Sequence, residues 1–152
     1  MRRCGLVIVA LAAAVGMLVL VGAALANHPG GGGAPASATM TGPAEVPGPG
    51  DPDGTGTVSL RLNHGQREVC FELQVSGIAP ATAAHIHQGA VGVAGPVVVT
   101  LAPPTSGSSS GCVQDVDRAL IKEIIRHPEA FYVNVHNATF PEGAIRGQLS
   151  RP

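Results

Sequence analysis

Two histidines, His85 and His87, are separated by a single residue in a stretch that is predicted to be a strand. Side chains on a strand alternate between its two faces, so both imidazoles project to the same side. A later stretch, residues 131–136, places Asn134 and His136 together on one face in the same way. Imidazole suits copper, so three such rings in one place could hold one ion.

The same residues also have a purely structural interpretation. Buried histidines that hydrogen-bond to main-chain carbonyls, or to Asn134 or Gln148, need no metal. One distance separates the two interpretations, because ligands about 2 Å from one ion have their ring nitrogens about 3 to 4 Å apart. Metal ligation by His85, His87 and His136 is therefore a hypothesis that depends on whether the two segments meet.

Glu45 and Arg146 form a further pair that could flank a site. Glu45 lies in a proline-rich stretch and Arg146 in the last predicted strand. We expect a salt bridge that attaches this loop to the sheet, worth about 1 kcal/mol or less if it is exposed. The sequence contains no phosphate-binding loop, and Glu123 and Glu142 are isolated carboxylates. No catalytic residues are predicted from these patterns.

The first 26 residues have the pattern of a secretory signal peptide. A positively charged start precedes the apolar run 6–21, and residues 24–26 form an A-x-A cleavage sequence. The alternative is an uncleaved membrane anchor, because the apolar run is nearly long enough to span a bilayer. We predict a secreted, periplasmic or cell-surface protein.

The remaining charge excludes some partners. Without Arg2 and Arg3 the chain has seven basic and ten acidic side chains, and no basic cluster. Nucleic acid and anionic membranes are poor partners for such a chain, and membrane contact is expected only through an uncleaved signal segment. The expected partner is an unidentified extracellular protein or surface ligand.

Three cysteines reduce to two when Cys4 leaves with the signal peptide. Export places Cys70 and Cys112 in an oxidising compartment, where we expect them to form a disulfide. The bond would close a loop of about 43 residues and contribute roughly 4 kcal/mol before any strain. Free thiols or metal ligands are the alternative, but the spacing matches no structural zinc pattern.

The residues after the signal peptide divide into a leader and one domain. Residues 27–37 are rich in glycine and proline and predict a flexible leader. Within the domain, residues 38–151, a first strand is expected from Ala38 to Thr41, and alternating apolar residues predict a hairpin around residues 63–66. Further short strands follow, and residue types and turns favour an antiparallel Greek-key β-sandwich of seven to eight strands.

One short helix is predicted in this all-β domain. Asp115 or Asp117 can cap its start, and Pro128 stops it. Between them, apolar residues recur at helical spacing, namely Leu120, Ile121, Ile124 and Ile125. The helix should cover one flank of the sheets.

Three motifs, in order, resemble the CHRD domain, the module named after chordin. They are TGPAEVP at 41–47, AHIHQG at 84–89 with GPVVV at 95–99, and YVNVH at 132–136 with GAIRGQL at 143–149. The resemblance covers about residues 37–151. It implies an exported β-rich domain, found alone in many bacterial proteins and repeated in chordin among extracellular protein-binding modules. It implies no established reaction, so a non-enzymatic binding or structural module is expected.

A fainter resemblance connects the chain with copper/zinc superoxide dismutases. Those enzymes are Greek-key β-sandwiches with an intradomain disulfide, and their copper is held by a His-x-His strand and a later histidine. By motif, His85 and His87 match the pair, His136 the later ligand, and Arg146 the arginine that guides the anion. No counterpart exists for their bridging histidine or zinc-binding loop. The resemblance therefore implies at most a mononuclear copper site or a superoxide-dismutase-like activity.

Overall fold

The computed structural model describes residues 32–152, so the predicted signal peptide and residues 27–31 of the predicted leader lie outside the described residues. The strands of this part are β1 (Ala34–Thr41), β2 (Thr55–Asn63), β3 (Glu68–Ser76), β4 (Ala81–Gln88), β5 (Val97–Leu101), β6 (Ser108–Val113), β7 (Phe131–Asn137) and β8 (Ile145–Gln148). One α-helix, α1 (Arg118–Arg126), lies between β6 and β7. No helix within residues 32–152 is long and apolar enough to cross a membrane.

The eight strands form one antiparallel sheet in the order β5-β4-β7-β8-β1-β2-β3-β6. Its two edge strands approach each other at the β5–β6 connection, where Ser109 Oγ donates a hydrogen bond of 2.7 Å to the Ala102 carbonyl. The sheet therefore nearly closes on itself around one apolar core. The predicted all-β antiparallel fold with a single short helix is confirmed.

Alternation of side chains builds the core. The predicted hairpin is present as β2 and β3, and it buries Val58, Leu60 and Leu62 from one strand and Leu73 from the other. The neighbouring polar residues face outward, as expected for a sheet with one wet face. On β4 and β7 the inward residues include Ile86 and the valines 133 and 135, so the histidines of these strands lie on the outer face.

The first strand is longer than predicted, because it begins at Ala34 and not at Ala38. Ala36, Ala38 and Met40 alternate inward and are buried, although alanine gives only a weak apolar signal in the sequence. Pro35 has no N–H to donate to a neighbouring strand, so it is tolerated where one side of β1 is not paired. On that side, β8 pairs with β1 only at Thr41, and a single further bridge joins Ser150 to Ser37.

Helix α1 has the predicted cap. The Asp117 carboxylate accepts a hydrogen bond of 2.8 Å from the Ala119 N–H. Ile121 and Ile124 are buried against the core, and the helix ends two residues before Pro128. The helix therefore seals part of the sheet as its apolar spacing indicates.

The predicted disulfide joins Cys70 on β3 to Cys112 on β6. The two residues are directly opposite each other in the antiparallel ladder, and their Cα atoms are 3.9 Å apart. Because β6 ends the strand order, the bond attaches an edge strand to the body of the sheet.

Removal of this bond should destabilise the fold. For the double variant Cys70→Ala/Cys112→Ala we expect a loss of about 2–4 kcal/mol in the free energy of unfolding, because the unfolded chain loses a long closed loop. Urea unfolding followed by circular dichroism measures the difference. Reduction should lower the stability of the wild-type protein by a similar amount and leave the variant unchanged; equal stabilities of wild type and variant would contradict the assignment.

Candidate metal centre

Antiparallel pairing of β4 with β7 brings the two histidine-bearing segments together. His85 lies opposite Asn134 in the ladder, and His87 lies opposite Tyr132. His136, two residues beyond Asn134, projects from the same outer face of β7. The three predicted ligands therefore share one surface, although they come from strands that are far apart in sequence.

The ring nitrogens of the three histidines converge. His85 Nδ1 and His136 Nε2 are 3.2 Å apart. One ring nitrogen from each of His85, His87 and His136 lies within 4.8 Å of the corresponding nitrogens of the other two. Since two ligands at about 2.0–2.1 Å from one ion are at most about 4.2 Å apart, joint coordination needs an adjustment of less than about 1 Å.

Main-chain carbonyls determine which nitrogens remain free. His87 Nδ1–H donates to the Gly95 carbonyl at 2.8 Å, and His136 Nδ1–H donates to the Pro141 carbonyl at 2.9 Å. A neutral imidazole carries one hydrogen, so the Nε2 atoms of both rings keep their lone pairs. His87 Nε2 is buried and has no hydrogen-bond partner within residues 32–152. Metal-binding histidines in proteins show this arrangement, with the second nitrogen hydrogen-bonded to a carbonyl.

The connection between β4 and β5 folds back over the site to supply the first carbonyl. Gly95 N–H donates to the Tyr132 hydroxyl at 3.2 Å, and Gln88 N–H donates to the Pro96 carbonyl at 3.1 Å. A Cβ atom at position 95 would lie 1.7 Å from the Gln88 carbonyl oxygen. Only glycine allows this close approach, which is a role that the glycine-rich sequence did not reveal by itself.

Asn137 has a supporting role that sequence reasoning missed. Its Oδ1 accepts hydrogen bonds from the N–H groups of Thr139 and Phe140, at 3.0 and 2.8 Å. These bonds shape the loop that brings the Pro141 carbonyl to His136. An asparagine at a strand end before a short polar segment is a recognisable turn signal, but its target on His136 could not be inferred.

A stack of three side chains supports His87. Its ring is parallel to that of Tyr132, with centroids 4.7 Å apart and an interplanar angle of 9°. The Arg146 guanidinium carbon lies 3.4 Å from the centroid of the Tyr132 ring. Because β4 and β8 flank β7 on opposite sides, Tyr132 is sandwiched between the two groups. The stack restricts the orientation of the His87 ring.

Electrostatics favour the neutral form of the other two rings. Burial lowers the pKa of His85, and the neighbouring His136 and His87 add to this effect. Burial also lowers the pKa of His136, although its bond to the Pro141 carbonyl acts in the opposite direction. Neutral imidazole is the form that can bind a metal, and the environment keeps both rings in that form.

Of the two amides expected to contact histidines, only Asn134 does so. Asn134 Oδ1 lies 3.1 Å from His136 Nε2. Gln148 Nε2 instead donates to three main-chain carbonyls, those of Gly89, Glu129 and Phe131. Gln148 therefore holds the loops around the site and does not touch the imidazoles directly.

The prediction of a salt bridge between Glu45 and Arg146 is wrong. No oxygen of Glu45 lies within 4 Å of an Arg146 nitrogen in the described structure. Arg146 stacks on Tyr132 and donates through Nη2 to the Ala90 carbonyl at 2.9 Å. The loop is attached by the main chain instead, through an Asp51 N–H bond of 2.8 Å to the Ala144 carbonyl.

Glu45 is nevertheless buried, with 4% of its surface exposed. Its carboxyl group packs against Gly143, where a Cβ would lie 2.4 Å from the Glu45 carboxyl carbon. Burial raises its pKa to about 7, while the Val46 N–H and the positive charge of Arg146 act in the opposite direction. Glu45 is thus a desolvated carboxyl beside the site and not half of an ion pair.

The fold and the site define a class of β-rich domain with a histidine cluster on the outer face of its sheet. The sequence matches the CHRD domain family over residues 36–149. The chain belongs to that family, as its three motifs indicated. Neither a curated protein nor a solved structure matches the sequence.

The buried carboxyl of Glu45 predicts a specific pH dependence of stability. Its folded pKa of about 7 is above its unfolded value of 4.5, so the folded state holds the extra proton between these values. Stability from this group is therefore complete below pH 4.5 and is lost as the pH rises through 7. Between pH 4.5 and 8 the wild type should lose about 2 kcal/mol of its free energy of unfolding through this group, after allowance for solvent screening. The Glu45→Gln variant should not show this loss.

Urea unfolding of wild type and Glu45→Gln at several pH values tests this expectation. Glu142→Gln is the matched control, because Glu142 is an exposed carboxylate in the loop before β8. The control should follow the wild-type curve. A Glu45→Gln curve parallel to the wild type across this range would show that the pKa of the folded carboxyl is not raised.

Proposed function

We propose that this CHRD-family protein is an exported, non-enzymatic binding module whose ligand is a single copper ion held by His85, His87 and His136. One observation carries the proposal: one ring nitrogen from each of the three imidazoles lies within 4.8 Å of the other two, and carbonyls hold the tautomers of His87 and His136. Copper is the metal chosen because the three nitrogen donors are all imidazoles and affinity rises toward Cu²⁺ along the divalent series.

The residues around the cluster fit a bound ion. The buried Nε2 of His87 has no partner among residues 32–152, and an ion would supply one. When bound, copper would supply a redox-active Lewis acid. The protein's own groups bind and orient: the Gly95 and Pro141 carbonyls fix the rings, and Tyr132 limits the rotation of His87.

Two features support a location outside the cytoplasm, secreted, periplasmic or at the cell surface. The sequence begins with the pattern of a signal peptide, and the disulfide between Cys70 and Cys112 is typical of oxidising compartments. CHRD domains are also typically extracellular or periplasmic. An exported site would be accessible to copper ions outside the cytoplasm.

The position of Arg146 favours binding over superoxide-dismutase-like turnover. An arginine that attracts an anion to a metal must present its guanidinium to solvent. Arg146 is 2% exposed, stacks on Tyr132 and donates to the Ala90 carbonyl. Its charge therefore contributes to packing, and we assign no catalytic residue.

A second candidate is a metal-free module that binds an extracellular protein or surface ligand. The loop over the site exposes Val91 and Val93, which are 79% and 51% exposed, and the first residue of β5, Val97, is 47% exposed. Exposed apolar residues concentrated in one stretch are a feature of contact surfaces. In this alternative the histidines serve only to hold the loop through carbonyl bonds.

Titration with Cu²⁺ tests the proposal. The purified protein should bind one ion per chain in isothermal calorimetry. His87→Ala should weaken binding by more than about a hundredfold, because it removes a ligand and not merely a residue that supports one. His64→Ala is the matched control, since His64 is exposed in the β2–β3 turn and should leave binding unchanged.

Two results would contradict the copper proposal. One is no stoichiometric binding by the wild-type protein, and the other is equal affinity in wild type and His87→Ala. Either result leaves the metal-free binding module as the function that the structure supports.

A further inference from the structure

Asn134 occupies a central position in the cluster. It lies directly opposite His85 in the β4–β7 ladder and opposite Arg146 in the β7–β8 ladder. Its side chain is 3% exposed and projects from the same face as His136, two residues further along β7. The amide is thus buried among the imidazoles and has no access to bulk water.

The contacts of this amide conflict with simple hydrogen bonding. His136 donates its Nδ1–H to the Pro141 carbonyl, so in the neutral ring Nε2 is an acceptor. Asn134 Oδ1, also an acceptor, lies 3.1 Å from that Nε2. If His85 Nδ1 carries a hydrogen, it can donate to His136 Nε2, which is 3.2 Å away. Asn134 Oδ1 then still faces the Nε2 atom without a donor. Two acceptors at this distance repel each other unless a positive centre lies between them.

We infer that Asn134 Oδ1 is the fourth ligand of the copper ion, which gives a site of three nitrogens and one oxygen. The inference rests on the proposed function. The distances of 3.1 and 3.2 Å from His136 Nε2 to Asn134 Oδ1 and His85 Nδ1 match two edges of such a site. Ligands about 2 Å from an ion, at angles of 90° to 110°, lie about 2.8–3.3 Å apart.

The fourth ligand determines which oxidation state the site prefers. Soft sulfur donors select Cu⁺, whereas four-coordinate sites of nitrogen and oxygen are typical of Cu²⁺. No sulfur lies in the cluster, and the cysteines of the described chain are joined on β3 and β6. An amide oxygen therefore biases the site toward Cu²⁺, and Asn134 is its specificity-determining residue.

Two substitutions test the role of Asn134 with Cu²⁺ alone as the probe. Asn134→Ala removes the oxygen and should weaken Cu²⁺ binding by about tenfold or more, less than His87→Ala, because a neutral amide oxygen is a weaker donor to copper than an imidazole nitrogen. Asn134→Asp is close in size and supplies an anionic oxygen, so it should bind Cu²⁺ at least as tightly as the wild type. Electron paramagnetic resonance should show the splitting from three nitrogens in every variant, with altered g values in Asn134→Ala.

The sign of the Asn134→Ala effect separates ligation from a structural role. If the amide NH₂ merely donates to His136 Nε2, it competes with the ion, and its removal leaves Cu²⁺ affinity unchanged or higher. That result, or an unaltered resonance signal, would overturn the inference. Asn134→Asp keeps the test decisive if Asn134→Ala does not fold, because a weaker affinity in Asn134→Asp would equally overturn it.

The two proposals fail in different ways. A wild-type protein that binds no copper overturns both. A wild-type protein that binds one ion through His87, with Asn134 variants of unchanged affinity, overturns only the assignment of the fourth ligand. Affinity for Cu⁺, measured under a reductant, should fall less than affinity for Cu²⁺ in Asn134→Ala; an equal fall would contradict the assigned preference.

Discussion

The register of β4 against β7 is the constraint on which the site depends. It places His85 opposite Asn134 and His87 opposite Tyr132, and it brings His136 to the same face. A slip of one residue would turn every side chain of one strand to the other side of the sheet. The register is held by the opposite face, where Ile86, with the valines at 133 and 135, is fully buried in the core. Apolar packing on one side of the sheet thus determines which polar groups meet on the other.

The loops cover part of this patch of the outer face and bury His87. The β4–β5 connection returns over the sheet and bonds to Tyr132 and Arg146, while the loop after β7 returns to His136. Each contributes a main-chain carbonyl that leaves one imidazole nitrogen free. An unpartnered lone pair costs free energy where water is excluded that it would not cost at a surface. The buried His87 Nε2 is such a lone pair, and its presence is a reason to consider a bound ion.

Glu45 and Arg146 illustrate how a plausible pair from sequence can be separated by packing. Both are buried close to the site, yet the guanidinium lies against an aromatic ring and the carboxyl against a glycine. A planar guanidinium gains from stacking on Tyr132 while it donates to a carbonyl at its edge, so it needs no carboxylate. The buried carboxyl is left with a raised pKa, and the loop is held by main-chain bonds. Opposite charge in the sequence indicated proximity but not contact.

The sequence by itself determined the strands with clear alternation, the helix with its Asp117 cap, the cysteine pair and the CHRD family. These features are local or compositional: a period of two, a period of about 3.6 with a capping side chain, two cysteines after a signal pattern, and three short motifs. It also indicated that His85 and His87 share a face. The tertiary structure decided what no local pattern carries, namely that His136 joins them, that Gly95 and Pro141 fix the ring tautomers, and that Asn134 and not Gln148 contacts an imidazole. Those relations depend on strand order and loop paths, which are set by core packing between residues far apart along the chain.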